Sequence, residues 1–177
     1  VDDAIRTLSL GMPSPDIVRL AAGLRDAIAV LGEDKLDSYR RGLVYTDAVA
    51  LAEVRARAGR LLPVSTLFSL TWARGDLISY ARRVSQVMLD AVALLAAANR
   101  EFVPVEEPKW IPWQLARLSR QPQGLANLLS DLFRSPSLEN AYFGDAVLLE
   151  VLNLVDDAVP DADTRSARFA LGLAAPG

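Results

Sequence analysis

Val84-Ser85-Gln86-Val87-Met88-Leu89-Asp90-Ala91-Val92-Ala93-Leu94-Leu95, continuing through Ala98 to Phe102, decides the fold class. Val84, Val87, Met88, Ala91, Leu95, Ala98 and Phe102 recur at i, i+3/i+4 over nearly five turns, the spacing of one helix face and not of a strand. A helix this long and apolar expects other helices around it, so this is the predicted central helix of an all-α bundle.

The flanks repeat the pattern. Ser14-Pro15 reads as an N-cap followed by proline at the first helical position, with Ile17, Leu20, Ala21, Leu24, Ile28 and Leu31 on one face and Gly32 closing the helix. Glu33 to Arg41 reads as a polar stretch. Asp47 is the expected cap of a second helix burying Leu51, Val54, Ala58 and Leu61, with Glu53, Arg55, Arg57 and Arg60 mostly in solvent and Pro63 at its end. A third helix runs from Ser65 to about Arg74, where Gly75-Asp76 continues it or breaks it. Pro104, Pro108 and Pro112 impose an extended segment, because each proline disfavours helix at the residue before it. A short helix over Trp113 to Leu118 and one carrying Leu125, Leu128, Leu129 and Leu132 follow. Ser137 caps a last long helix, Leu138 to about Val159, apolar on more than one face and so expected between other helices; Ala162 to Leu171 is one more short helix. Leu43-Val44-Tyr45 is the only strand-like fragment, too short for a sheet. The expectation is a bundle of six to seven helices: residues 1–46 as an N-terminal helix and junction, 47–172 as the bundle, 173–177 as a tail.

With 177 residues the chain can bury a core without disulfide or metal staples. It contains no Cys and no His, which removes thiol nucleophiles, Ser-His-Asp triads and imidazole-ligated zinc. Carboxylate or Lys chemistry, a hard metal held by oxygens, or no chemistry at all remain. A net charge of -3 gives no footprint for duplex nucleic acid or an anionic membrane. The longest apolar run, Ala91 to Ala98, is far below the roughly 20 residues that cross a bilayer, and the acidic start Val1-Asp2-Asp3 is not a secretory signal; a cytoplasmic location is expected.

Most chemistry-bearing clusters have an ordinary reading. Asp156-Asp157, with Asp161 and Asp163 nearby, read as solvated carboxylates, since adjacent helical residues diverge by about 100° and make poor ligand pairs; Asp2-Asp3 reads as an exposed terminus and Glu106-Glu107 as a surface loop. No metal site is predicted. There is no GxGxxG and no GxxxxGK[ST], so phosphate-cradling loops are absent. Arg40-Arg41 and Arg82-Arg83 read as solvated helix faces. Trp110 and Trp113 fit a role in locking the proline segment onto the bundle, with a stacking platform as the alternative. The only lysines are Lys35 and Lys109.

Two ordered blocks carry a family resemblance. Gly42-Leu43-Val44-Tyr45-Thr46-Asp47, then Leu51 to Arg55 and Leu61-Leu62-Pro63, is similar to the junction at which nucleotidyltransferase-fold proteins pass from the catalytic domain into a helical C-terminal domain. Leu94-Leu95, then Asn99-Arg100-Glu101-Phe102-Val103-Pro104, Glu106-Glu107 and Lys109-Trp110, resembles a block in the helical domain of an uncharacterised nucleotidyltransferase-like group related to kanamycin-type aminoglycoside enzymes. Between them, Thr71-Trp72 and Arg74-Gly75-Asp76 fall at the first long helix of that domain. The match spans about residues 40 to 120.

The resemblance implies a substrate-side or accessory helical domain. Its cleft would be lined by Trp72, Arg74, Asn99, Arg100, Lys109 and Trp110, with Asp76 as the basic carboxylate. Such proteins hold Mg2+ and a nucleotide triphosphate on a Gly-Ser motif followed by paired Asp residues on a sheet. This chain has no Gly-Ser dipeptide. No cofactor is therefore expected in this chain, and Mg2+ and nucleotide enter only with a catalytic domain elsewhere. Expected partners are a small-molecule or nucleotide ligand, an N-terminal catalytic domain or a second copy, without duplex nucleic acid or membrane. The absence of His excludes the active members of a related family of helical ribonucleases with an Arg-x4-6-His signature. Two other readings stand beside it: a free-standing scaffold or dimerisation protein using Leu138 to Val159, and a small carboxylate-dependent enzyme.

Overall fold

The computed structural model describes residues 1–105 and 111–172. Helices are the only regular structure among them. Ten α-helical segments are present among them, more than the six to seven expected: α1 (Asp2–Ser9), α2 (Pro15–Asp26), α3 (Glu33–Gly42), α4 (Asp47–Arg57), α5 (Val64–Leu70), α6 (Leu77–Asn99), α7 (Ile111–Leu115), α8 (Leu125–Arg134), α9 (Leu138–Ala158) and α10 (Arg165–Ala170). Short 3-10 turns follow α4 and α5. Residues 43–46, which include the strand-like fragment, connect α3 to α4 and pair with no strand among the described residues. Glu106-Glu107, Lys109-Trp110 and the 173–177 tail lie outside the described residues.

The central helix is α6. It packs against α4 on one side and α9 on another, and α9 in turn packs against α5 and α8. Val84, Leu94, Leu95, Leu148, Val151, Leu152 and Val155 are fully buried where these helices meet. The apolar faces of α9 are thus used inside the bundle, as its sequence predicts. No helix among the described residues is long and apolar enough to cross a membrane.

Local chemistry sets the boundaries. Ser14 and Ser137 cap α2 and α9, accepting from the Ile17 and Asn140 N–H groups at 3.3 and 3.0 Å. The cap of α4 is Thr46, not Asp47: its Oγ1 accepts from the Val49 N–H, leaving Asp47 as the first helical residue. Gly75, at φ +79°, breaks the chain between the 3-10 turn at 72–74 and α6, a conformation that costs glycine nothing. Asp76 then caps α6. Arg100 ends α6 in the left-handed region at φ 56°, so Phe102 leaves the helix and joins a second, smaller core with Leu8, Ala21, Ala22 and Val49.

Three expectations fail for identifiable reasons. α2 stops at Asp26, before Ile28 and Leu31, because the Arg40 side chain takes the Leu24 and Ala27 carbonyls and no surface covers those aliphatics. The polar stretch 33–41 is helical as α3 although it buries no residue; an Arg40–Asp37 pair and the contact with α2 support it. Arg57 is buried, not solvated, because Asp90 lies beneath it on α6 with no exposed surface.

Candidate functional site

The two sequence blocks meet at the C-terminal end of α6. Arg100 donates from Nε to Asp47 at 3.0 Å, from Nη1 to the Ala97 carbonyl at 2.7 Å and from Nη2 to the Ala158 carbonyl at 2.8 Å. One side chain therefore holds the start of α4 and the ends of α6 and α9, where helix carbonyls lack intrahelical partners. Asn99 does the same for the loop after α7: its Nδ2 donates to the Leu95 and Arg120 carbonyls, and its Oδ1 accepts from the Arg120 N–H and the Ser119 hydroxyl, all within 3.0 Å.

Beside this clamp lies a cleft of about 250 Å³. Its floor is apolar, with Tyr45 and Phe102 packed at a ring separation of 4.8 Å next to Leu43 and Ala21. Its walls carry Arg25, Arg40, Arg100 and Glu101. Arg25 bridges Glu101 at 2.6 Å and the Phe102 carbonyl at 3.2 Å, and Arg40 holds the α2 carbonyls described above. Burial pushes the Tyr45 phenol up, with the Glu53 carboxylate adding to the effect, so the ring presents a neutral hydroxyl. The combination of an apolar floor, whose two rings are tilted by 49°, and guanidinium walls suits a small ligand with an apolar body.

No protein-family model, curated protein or solved structure matches this chain.

Trp72, Arg74 and Asp76 lie at the other end of α6, roughly 33 Å from Asn99 and Arg100 at 1.5 Å per residue. Trp72 packs on Phe68 and Tyr80, at 6.5 and 5.4 Å between rings. Asp76 accepts the Ser79 N–H at 3.0 Å and is fully exposed; hydrogen bonding from Ser79 holds its carboxyl below the ordinary value. A general base is tuned in the opposite direction, by burial. The described residues thus bring Asn99 and Arg100 together and leave Trp72, Arg74 and Asp76 apart from them; Lys109 and Trp110 lie outside the described residues. Trp113 is half exposed beneath the Arg117 guanidinium, 4.8 Å from its ring centre, and does not enter the core.

Other polar clusters are committed to structure. Asp90 accepts from Arg57, Arg60 and Gln86, and Arg57 also reaches Glu53 at 2.7 Å. Asp156 is taken by Arg168 and Thr164, and the Asp163 carboxyl, hydrogen-bonded by Arg165, is held at about 2. Among the described residues no three acidic side chains converge as metal ligands. Tyr45, Asp47, Glu101 and Phe102 sit inside the quoted blocks, where their neighbourhood is the only sequence signal. Arg25 carries none, because its partner Phe102 lies 77 positions away, and Arg40, expected on a solvated helix face, is instead part-buried against the Leu24 and Ala27 carbonyls.

Proposed function

We propose that this chain is the helical, substrate-side or accessory domain of a nucleotidyltransferase-like protein and performs no catalysis by itself. The observation that carries the proposal is the Arg100–Asp47 contact: the first residue of α4 and the residue that ends α6 belong to the two separate sequence blocks and meet beside the cleft that Arg100 lines. Asn99 and Arg100 act there as positioning residues. Trp72, Arg74 and Asp76 lie outside that cleft, so in this reading the acceptor contacts come from the Tyr45–Phe102 floor and the arginine walls. Metal and nucleotide would be held by a separate catalytic domain.

Titration of the isolated chain with Mg-ATP and kanamycin tests both halves of the proposal. The expected result is perturbation of the Tyr45 and Phe102 resonances by one of the two compounds, with no nucleotide transferred. Transfer above background overturns the non-catalytic reading, and unchanged spectra at millimolar ligand overturn the substrate-side reading.

A further inference from the structure

The two-helix unit α2–α3 makes few contacts with the rest of the bundle. Its helices pack mainly on one another, and neither makes an extensive contact with α4, α6 or α9. α3 buries no residue, and α2 is held by the smaller core alone, where Ala21 and Ala22 are buried and Ile17 and Val18 pack half-buried against Leu8, Val49 and Phe102. Ile28, Val30 and Leu31, in the connection between the two helices, are 91%, 92% and 93% exposed and add nothing to the attachment.

Beneath the unit the packing is incomplete. The 250 Å³ cleft is lined by Ala21, Arg25 and Arg40 of the unit together with Tyr45, Arg100 and Phe102. A smaller gap of about 20 Å³ is lined by Pro15 and Val18 of the unit and by Tyr45, Glu53, Arg57 and Glu101. Close packing is interrupted at both places, so fewer atomic contacts hold the unit down there.

Polar links close the gap at one edge. Arg25 reaches Glu101 at 2.6 Å and the Phe102 carbonyl at 3.2 Å, and Asp26 accepts from Arg117 at 2.8 Å. The connections on either side of the unit suit a hinge. Leu10 to Ser14 precedes it, with Gly11 at φ +66°, and Leu43 to Thr46 follows it without regular structure.

We infer that α2–α3 is a lid over the Tyr45–Phe102 floor, latched by Arg25–Glu101 and Asp26–Arg117, and that it opens as a unit while the bundle stays folded. Opening merges the cleft and the smaller gap into one accessible face carrying Tyr45, Glu53, Arg57, Arg100 and Glu101. The latches are partly solvent-exposed ion pairs, so added salt weakens them while leaving the apolar core intact. The assignment of the uncovered face as a ligand site rests on the proposed function; the lid motion itself does not.

Hydrogen exchange of the ligand-free chain, read by mass spectrometry, tests the lid. Amides of residues 15–42 are expected to exchange as one group, faster than those of α6 and α9, and to speed up between 50 mM and 1 M NaCl. Glu101→Gln is expected to raise exchange in that group roughly five- to tenfold, and Arg117→Gln by less, with α6 and α9 unchanged in both. Protection of α2–α3 equal to that of α6, or an equal rise across all helices in both variants, overturns the lid. So does exchange of α2–α3 at the unstructured rate in the wild type, which would mean that it never docks. None of these readouts involves a ligand, so failure of the Mg-ATP and kanamycin titration leaves them intact, and the reverse also holds.

Discussion

Arg100 and Asp47, 53 positions apart, are joined by a hydrogen bond of 3.0 Å that is only the outermost of the bonds the arginine makes. The Asp47 side chain is 72% exposed, so its pairing contributes little. The contacts to the Ala97 and Ala158 carbonyls, at the ends of two helices, matter more. Asp47→Ala is therefore expected to cost less than about 1 kcal/mol, and Arg100→Met about 2–3 kcal/mol, because two carbonyls lose a charged donor. Urea denaturation of the two variants measures the difference, and equal losses would contradict the clamp.

Asp90 has no exposed surface and depends on Arg57, Arg60 and Gln86 for its charge to be tolerated. Removing one partner of a buried pair leaves the other uncompensated. Arg57→Met should lower stability by about 3–5 kcal/mol, because Asp90 and Glu53 both lose it, and Asp90→Leu by less, because Arg57 keeps Glu53 at 2.7 Å. Equilibrium unfolding of the two variants provides the comparison.

Asp145 on α9 serves as a cap for a different helix. Its Oδ1 accepts from the Val64 N–H at 2.5 Å at the start of α5, and its Oδ2 takes the Ser65 hydroxyl. The close approach requires Gly144, where a Cβ would stand 3.1 Å from the Val64 side chain. Asp145→Ala should cost about 1–2 kcal/mol, in the range of lost helix caps. Gly144→Val should cost about 1–3 kcal/mol by overpacking. Melting curves of each variant test these, and an unchanged transition for Asp145→Ala would remove the cap.

Stability should depend on pH at both extremes. The Asp26 carboxyl is held below its ordinary 3.8 chiefly by its hydrogen bond from Arg25, with Arg117 contributing. Its contribution is present above that value and is lost as pH falls below it. The Tyr45 phenol is pushed above its ordinary 10.0 by burial, so its contribution is complete below pH 10.0 and is lost as pH rises beyond it. Asp26→Asn should flatten the acid limb of a stability-versus-pH curve, and Tyr45→Phe the alkaline limb. Urea midpoints taken between about pH 3 and 11 show whether each variant affects only its own limb.

The helices with strong apolar periodicity were legible: Val84, Val87, Met88 and Ala91 in α6, and the buried faces of α8 and α9, follow directly from residue spacing. α3 was not, since its charged residues present no apolar face and its support comes from Arg40 reaching across to α2. The site was legible only as two sequence blocks. Which of their residues meet depends on where α6 ends, and its length separates Asp76 from Arg100.

The all-α class, the central helix and the absence of thiol and imidazole chemistry are properties of the sequence, because periodicity and composition do not need long-range contacts. Tertiary structure decided that Arg57 is buried against Asp90, that Arg100 joins three helix ends and that α2–α3 rests on the bundle over a cleft. Each depends on residues far apart in the chain whose partners exist only once the helices have packed.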